Sequence, residues 1–136
     1  MKKIFTILFF ICSILSFALE TAIEDTEKLY KESKKLTKEY IASCKTLKIT
    51  AAKDISIMQK NDIDNIINIQ EKNLETYRSS LEILKKLKKD YNSFSQEKKD
   101  STLNALYLQQ EEIKTLNKNL ITATSLNNSA IENYNH

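Results

Sequence analysis

Near its start the chain carries twelve uncharged residues, Ile4 to Leu15 (IFTILFFICSIL). Beyond them the pattern changes. Apolar positions recur three and four apart, the spacing of helices with one buried face. The first stripe runs Leu36, Tyr40, Cys44, Leu47, Ala51, Ile55 and Met58, in steps of 4, 4, 3, 4, 4 and 3. This is an 11-residue repeat, which predicts a nearly straight or slightly right-handed helix. From Ile63 the steps alternate between 4 and 3 through Ile67, Gln70, Leu74, Tyr77, Leu81, Leu84, Lys88 and Tyr91, a heptad pattern. Ile66, Ile69 and Leu87 widen it, as expected for a globular bundle. A third stripe takes in Leu103, Leu106, Gln110, Ile113, Leu116, Leu120 and Ala123, extended by Leu126, Ala130 and Ile131.

Breaks between the stripes are few. Glu20, Glu24, Asp25 and Glu27 suit the positive end of a helix dipole, and Thr21 with Glu24 has capping-box spacing. The first break is expected at Lys60-Asn61-Asp62, with Asn61 or Asp62 as N-cap. The clearest turn is Asn92-Ser93-Phe94-Ser95. There Ser93 stands three residues before Gln96, and Ser95 is a second cap candidate. The expected helices are therefore 20–59, 62–91 and 96–134, about 60, 45 and 58 Å long at 1.5 Å per residue. The fold class predicted is all-α: an antiparallel three-helix bundle or, without the first break, a long helical hairpin. The bundle is favoured, because a single first arm of about 108 Å would overhang its partner.

The sequence has neither glycine nor proline. Glycine supplies positive φ in tight turns and proline pre-sets their corners, so folds rich in turns are disfavoured. Their absence also removes the P-loop and the dinucleotide-binding fingerprint.

Met1-Lys2-Lys3, the apolar run, and Ser16-Phe17-Ala18 with small residues at −3 and −1 together form a secretory signal pattern. The run is short of the roughly 20 residues needed to span a membrane. Residues 1–18 are read as a signal peptide cut after Ala18, and 19–136 as one helical domain outside the cytoplasm, in the periplasm, at the cell surface or secreted. No stable membrane span is expected after the cut. Phe10 and Ile11 before Cys12 do not fit a lipidation site.

The formal charge is +3, and removing Lys2 and Lys3 leaves the rest close to neutral. Arg78 is the only arginine. A nucleic-acid partner would call for a clear basic excess, and bidentate phosphate recognition for arginine, so neither is expected. The only histidine, His136, is the last residue, and no Cys/His spacing suits zinc. Glu111-Glu112 and Glu20-Glu24-Asp25 read as solvated helix surface. No catalytic, cofactor-binding or metal-binding residues are predicted, and an enzyme is not expected.

Two features stand out as candidate sites. Cys44, the one cysteine after the signal, is either a small buried hydrophobe or the site of an intermolecular disulfide. Lys85, Lys86, Lys88, Lys89, Lys98 and Lys99 surround the clearest turn, offset by Asp90 and Glu97. They form either a solvated helix end or a contact tip for acidic polymers or an anionic cell surface. Tyr40, Tyr77 and Tyr91 fall on the stripes and are expected in the core, whereas Tyr30, Tyr107 and Tyr134 are freer for contacts.

The Met1-Lys2-Lys3 start, the Ser16-Phe17-Ala18 junction and the wholly helical pattern of residues 19–136 resemble the FadA type of small bacterial adhesin. The resemblance is one of architecture and carries over no individual residue. The chain departs from that type in being rich in Ile, Lys and Asn, in carrying Cys44 and in its third helix. It implies adhesion to a protein or cell-surface partner and self-assembly through helices. The expected function is thus an adhesin-like, secreted or surface-associated interaction protein. The alternative is a periplasmic chaperone-like or envelope-structural protein that holds clients between helical arms.

Overall fold

Each of the three stripes becomes a helix in a computed structural model, which describes residues 2–136, with side chains from Ile14 onward. Helix α1 spans Lys2–Thr50, α2 Ile57–Asp90 and α3 Gln96–Asn135, with a short 3₁₀ turn over Tyr91–Ser93. Their lengths are about 73, 51 and 60 Å. No strand is present among the described residues. The fold is all-α, as the spacing predicts.

The boundaries differ from expectation at two places. Helix α1 does not begin near Glu20 but runs unbroken from Lys2, through the expected cut after Ala18. The break does not fall at Lys60-Asn61-Asp62 but over residues 51–56. Ser56 is the N-cap of α2: its side chain accepts from the Gln59 backbone N–H, and the Gln59 side chain accepts from the Ser56 N–H at 2.8 Å. This reciprocal box satisfies two N–H groups that a helix start leaves bare. An aspartate or asparagine inside an established helix has no such bare groups to cap. At the second corner Ser95 caps α3 by accepting from the Lys98 N–H. Ser93 instead donates to the Asp90 carbonyl. Neither corner uses a positive φ among the described residues. The chain turns through tight helical turns and extended caps, which explains how it manages without glycine.

The helices run up, down and up. Cross-helix contacts fix this. Lys88–Glu24 at 3.3 Å, Lys48–Asp64 at 2.6 Å and Lys45–Glu71 at 4.0 Å pair α1 with an antiparallel α2. Side-chain contacts between α1 and α3 join residues 83 to 88 positions apart along the whole length, so these two run parallel. Helix α1 is central: it packs along both neighbours, while α2 and α3 touch each other little.

The two faces of α1 differ in chemistry. Toward α2 the packing is apolar. One cluster joins Leu19, Ile23 and Tyr30 with Tyr77, Leu84 and Tyr91, and takes in Leu103, Leu106 and Ile113 from α3. Tyr30 and Tyr77 meet ring to ring, with centroids 6.2 Å apart and planes tilted by 42°. Tyr30 is therefore a core residue, not a free contact residue; its place on the buried heptad was hidden by its polar neighbours. A second cluster, Ile41, Cys44 and Ile67, lies nearer the α1–α2 corner.

Toward α3 the seam mixes Leu103, Leu106, Ile113 and Leu120 with buried polar groups. Thr26, Ser33, Thr37 and Ser43 on α1 are buried, as are Gln110 and Asn117 on α3. Gln110 Nε2 donates to the Ala22 carbonyl and to Thr26 Oγ1, both at 3.1 Å. Ser33 Oγ donates to Asn117 Oδ1 at 2.6 Å, and Asn127 Nδ2 donates to Ser43 Oγ at 3.0 Å. Small side chains let two parallel helices approach closely, and each amide finds partners at one register only. A slip by one turn would leave buried amides unpaired, which costs more than the bonds themselves contribute.

On α1 the buried positions Leu19, Ile23, Thr26, Tyr30, Ser33 and Thr37, largely ahead of the first stripe, step by 4, 3, 4, 3 and 4, a heptad in which Thr and Ser give no hydropathy signal. Of the first stripe itself, Cys44 and Ala51 are buried and Leu36, Tyr40, Leu47 and Ile55 half-buried. On α3 Leu116 is half-buried against the main cluster, and Asn117 beside it is buried. Met58, placed on the first stripe, stands exposed at the start of α2.

Candidate interaction surfaces

The six predicted lysines do gather at one end of the rod, where α2 turns into α3 beside the N-terminal part of α1. They do not act alike. Lys88 is paired with Glu24 across the α1–α2 interface. Lys99 Nζ donates to Ser16 Oγ at 2.9 Å. Lys98 lies over the Phe94 ring, 4.0 Å from its centroid, an attraction between cation and ring face. Lys85, Lys86 and Lys89 are exposed and make no ion pair among the described residues. Over residues 85–99, six lysines against Asp90 and Glu97 leave +4; Glu20 and Glu24, brought in by α1, and Asp100 beside Lys99 reduce the corner to +1. The sequence could not show the part played by Glu20 and Glu24, which lie some 65 residues away. Beneath the corner, burial raises the Tyr91 phenol above its usual value. The neighbouring Glu20 charge, and the hydrogen bond between the two, push it the same way.

The end of α1 takes part in this corner. Leu15 and Ala18 pack against the main core, while Phe17 stays exposed. An open groove of about 540 Å³ lies between them and α3, lined by Ile14, Leu15, Ala18, Gln96, Asp100 and Leu103 among others. The residues just before the expected cut thus contribute to packing in the uncut chain. The greater part of the apolar run, Ile4 to Ser13 with Cys12, lies outside the described side chains.

Cys44 is buried on α1, next to Ile41 and Ile67. Its sulfur accepts from Asn127 Nδ2 at 3.3 Å. Burial raises the thiol, and the hydrogen bonds from Asn127, Tyr40 and Ser43 oppose this only in part. A neutral, enclosed thiol is a poor nucleophile. A cross-link to another chain would require this end of α3 to move away from α1.

Among the described residues, no helix is long and apolar enough to cross a membrane. In the same set, no three His, Cys, Asp or Glu side chains stand close enough to hold a metal ion. The outer faces are richer. Ile69 and Ile83 stand exposed on one line of α2, two heptads apart, and Leu108, Ile121 and Leu126 are exposed on α3. Tyr107 and Tyr134 are also exposed, as the stripes predict.

These features define an all-α rod of three helices, held together by an apolar cluster that all three share and by buried hydrogen bonds between the central helix and α3. No family model, curated protein or solved structure matches the chain.

Proposed function

We propose that the protein is a secreted or surface-associated helical interaction module, adhesin-like in its action, that works through contacts of its helix faces. The observation that carries this reading is the set of large aliphatic side chains on the outer faces of α2 and α3, which the core does not use. Single exposed aliphatics are ordinary, but both outer helices carry more than one, Ile69 and Ile83 on one line of α2 and Leu108, Ile121 and Leu126 along α3, and these are suited to a partner. The free ammonium groups of Lys85, Lys86 and Lys89 support a second, electrostatic contact with an acidic partner at the corner. Export is inferred from the charged start, the apolar run and the small residues before Leu19.

Protease shaving and antibody labelling of intact producing cells test the location. Accessible protein is the expected result, and protein confined to the cytoplasmic fraction refutes the reading. Retention on heparin tests the corner: elution should move to lower salt in Lys85→Glu/Lys86→Glu/Lys89→Glu. Unchanged elution removes the corner from the proposal. Suppressed aggregation of an unfolded outer-membrane protein would instead favour the chaperone-like alternative.

A further inference from the structure

The bond between Ala18 and Leu19, where the export reading places the cut, lies inside the bundle. Helix α1 runs through it without a break. Leu19 is completely buried, and Leu15 and Ala18 pack against the main core. Ser16 Oγ accepts from Lys99 Nζ at 2.9 Å. The start of α3 forms the facing wall, with Glu97, Asp100 and Leu103 lining the same groove as Leu15 and Ala18. Ile14 and Phe17 are exposed. Helical geometry also withholds the recognition pattern. A peptidase cleft takes its substrate as an extended strand, in which residues two apart share a face. Ser16 and Ala18, the small residues at −3 and −1, would then enter the cleft side by side. In α1 they stand about 200° apart around the helix axis, and each is held by a different contact.

Resting on the export reading, we propose that α3 seals the processing site: once it has docked on α1, the Ala18–Leu19 bond is closed to a signal peptidase, so the cut has to precede docking. The cut is a hydrolysis, in which water adds across the amide and leaves a carboxylate on Ala18 and an ammonium on Leu19. In a folded chain it requires residues 15–19 to unwind and leave α3. Cleavage then tracks the small opened population. The parallel course of α1 and α3 sets the timing. Lys99 follows Ser16 by 83 residues, so the seal cannot form until α2 and the start of α3 have also been exported. The site therefore stays open while the chain emerges and closes as the bundle completes.

The full-length chain, held in mild detergent, is incubated with a type I signal peptidase, and mass spectrometry identifies the product that begins at Leu19. Leu84→Asp/Leu106→Asp, which puts two charges into the main cluster, presents the same processing site in an unfolded chain. Circular dichroism verifies that this variant has lost its helices and that the others keep theirs. The unfolded chain should be cut at least about a hundredfold faster than the parent. Among folded variants, Leu103→Ala should speed cutting by about tenfold or more. Lys99→Met keeps the side-chain stem, loses the bond to Ser16 and should speed it by about threefold. Ile67→Ala, in the cluster at the other end of the rod, weakens the fold without touching the seal and should stay within about twofold of the parent. Equal rates for the parent and the unfolded chain overturn the seal and leave the export reading standing. Cleavage of neither removes the cut from the export reading, and the seal with it. Equal acceleration by Ile67→Ala and Leu103→Ala also overturns the proposal, because the site then opens with the whole bundle and not by release from α3.

Discussion

Thr37 is fully buried between the helices, and among the described residues its Oγ1 is the one buried side-chain oxygen without a hydrogen bond. The Tyr77 hydroxyl lies near enough for Thr37 to lower the phenol's otherwise raised pKa, yet no bond of acceptable geometry joins them. Thr37→Val keeps the shape and the β-branching and removes only the hydroxyl. A buried polar group left unpaired costs about 1–3 kcal/mol, and valine differs little from threonine in helix propensity. The variant should therefore be more stable by about 1–2 kcal/mol. For a chain of this length that raises Tm by about 3–8 °C. Thermal unfolding followed by circular dichroism measures the change, with Tyr77→Phe alone and combined as the remaining corners of a cycle. A fall in Tm on Thr37→Val refutes the reasoning. So does a coupling above about 1 kcal/mol between the two sites, since either result means that the hydroxyl has a partner.

Leu84, only 3% exposed in the main cluster, should cost about 2–4 kcal/mol as Leu84→Ala. Ile83→Ala, one residue away on the outer face, should stay within about 0.5 kcal/mol in the same urea titration. In the seam, Ser33 Oγ also lies 3.0 Å from the Leu29 carbonyl, to which its single hydroxyl proton turns once Asn117 is gone, so Asn117→Leu orphans nothing there and should fall within about 1 kcal/mol of the parent. Gln110→Leu/Asn117→Leu should then lose the unique α1–α3 register, seen as extra amide resonances; a single set of peaks counts against the role given to the amides. Burial raises the Cys44 thiol and the Tyr40, Tyr77 and Tyr91 phenols above their ordinary 9.0 and 10.0. The folded state therefore holds these protons more tightly than the unfolded one. Stability should be level below pH 9 with respect to these groups and fall as pH rises through their folded values, as Tm measured against pH would show. A thiol reagent should label Cys44 far more slowly in native protein than in urea; equal rates would mean that the sulfur is open.

Local chemistry made much of the fold legible. The start of α3 was marked by Ser95, because an N-cap acts on backbone within three residues of itself. The stripe from Ile63 to Tyr91 identified the buried Ile67, Tyr77, Leu84 and Tyr91 directly, since those positions face an apolar neighbour. The α1–α2 break was also written locally, in Ser56 and Gln59. It was outweighed by Asn61 and Asp62, which have equal capping power but no free helix end to cap. On the first half of α1 hydropathy gave no stripe because half of the buried heptad from Leu19 to Thr37 is Thr and Ser. Thr26 and Ser33 read as surface until α3 supplies Gln110 and Asn117 to meet them.

The sequence alone determined that this chain is helical throughout, that its corners are made without glycine, and where its aliphatic seams lie. These follow from interactions within a few residues along the chain, where spacing and side-chain type are sufficient. Only the tertiary structure decided that α1 is the central helix and that α3 lies parallel to it, with partners 83 to 88 residues apart. It alone showed that Glu20 and Glu24 temper the lysine corner and that Ile49, Ile57 and Met58 are left outside. Those outcomes depend on which distant groups meet and exclude water together, and hydrophobic spacing along one helix carries no record of its neighbour.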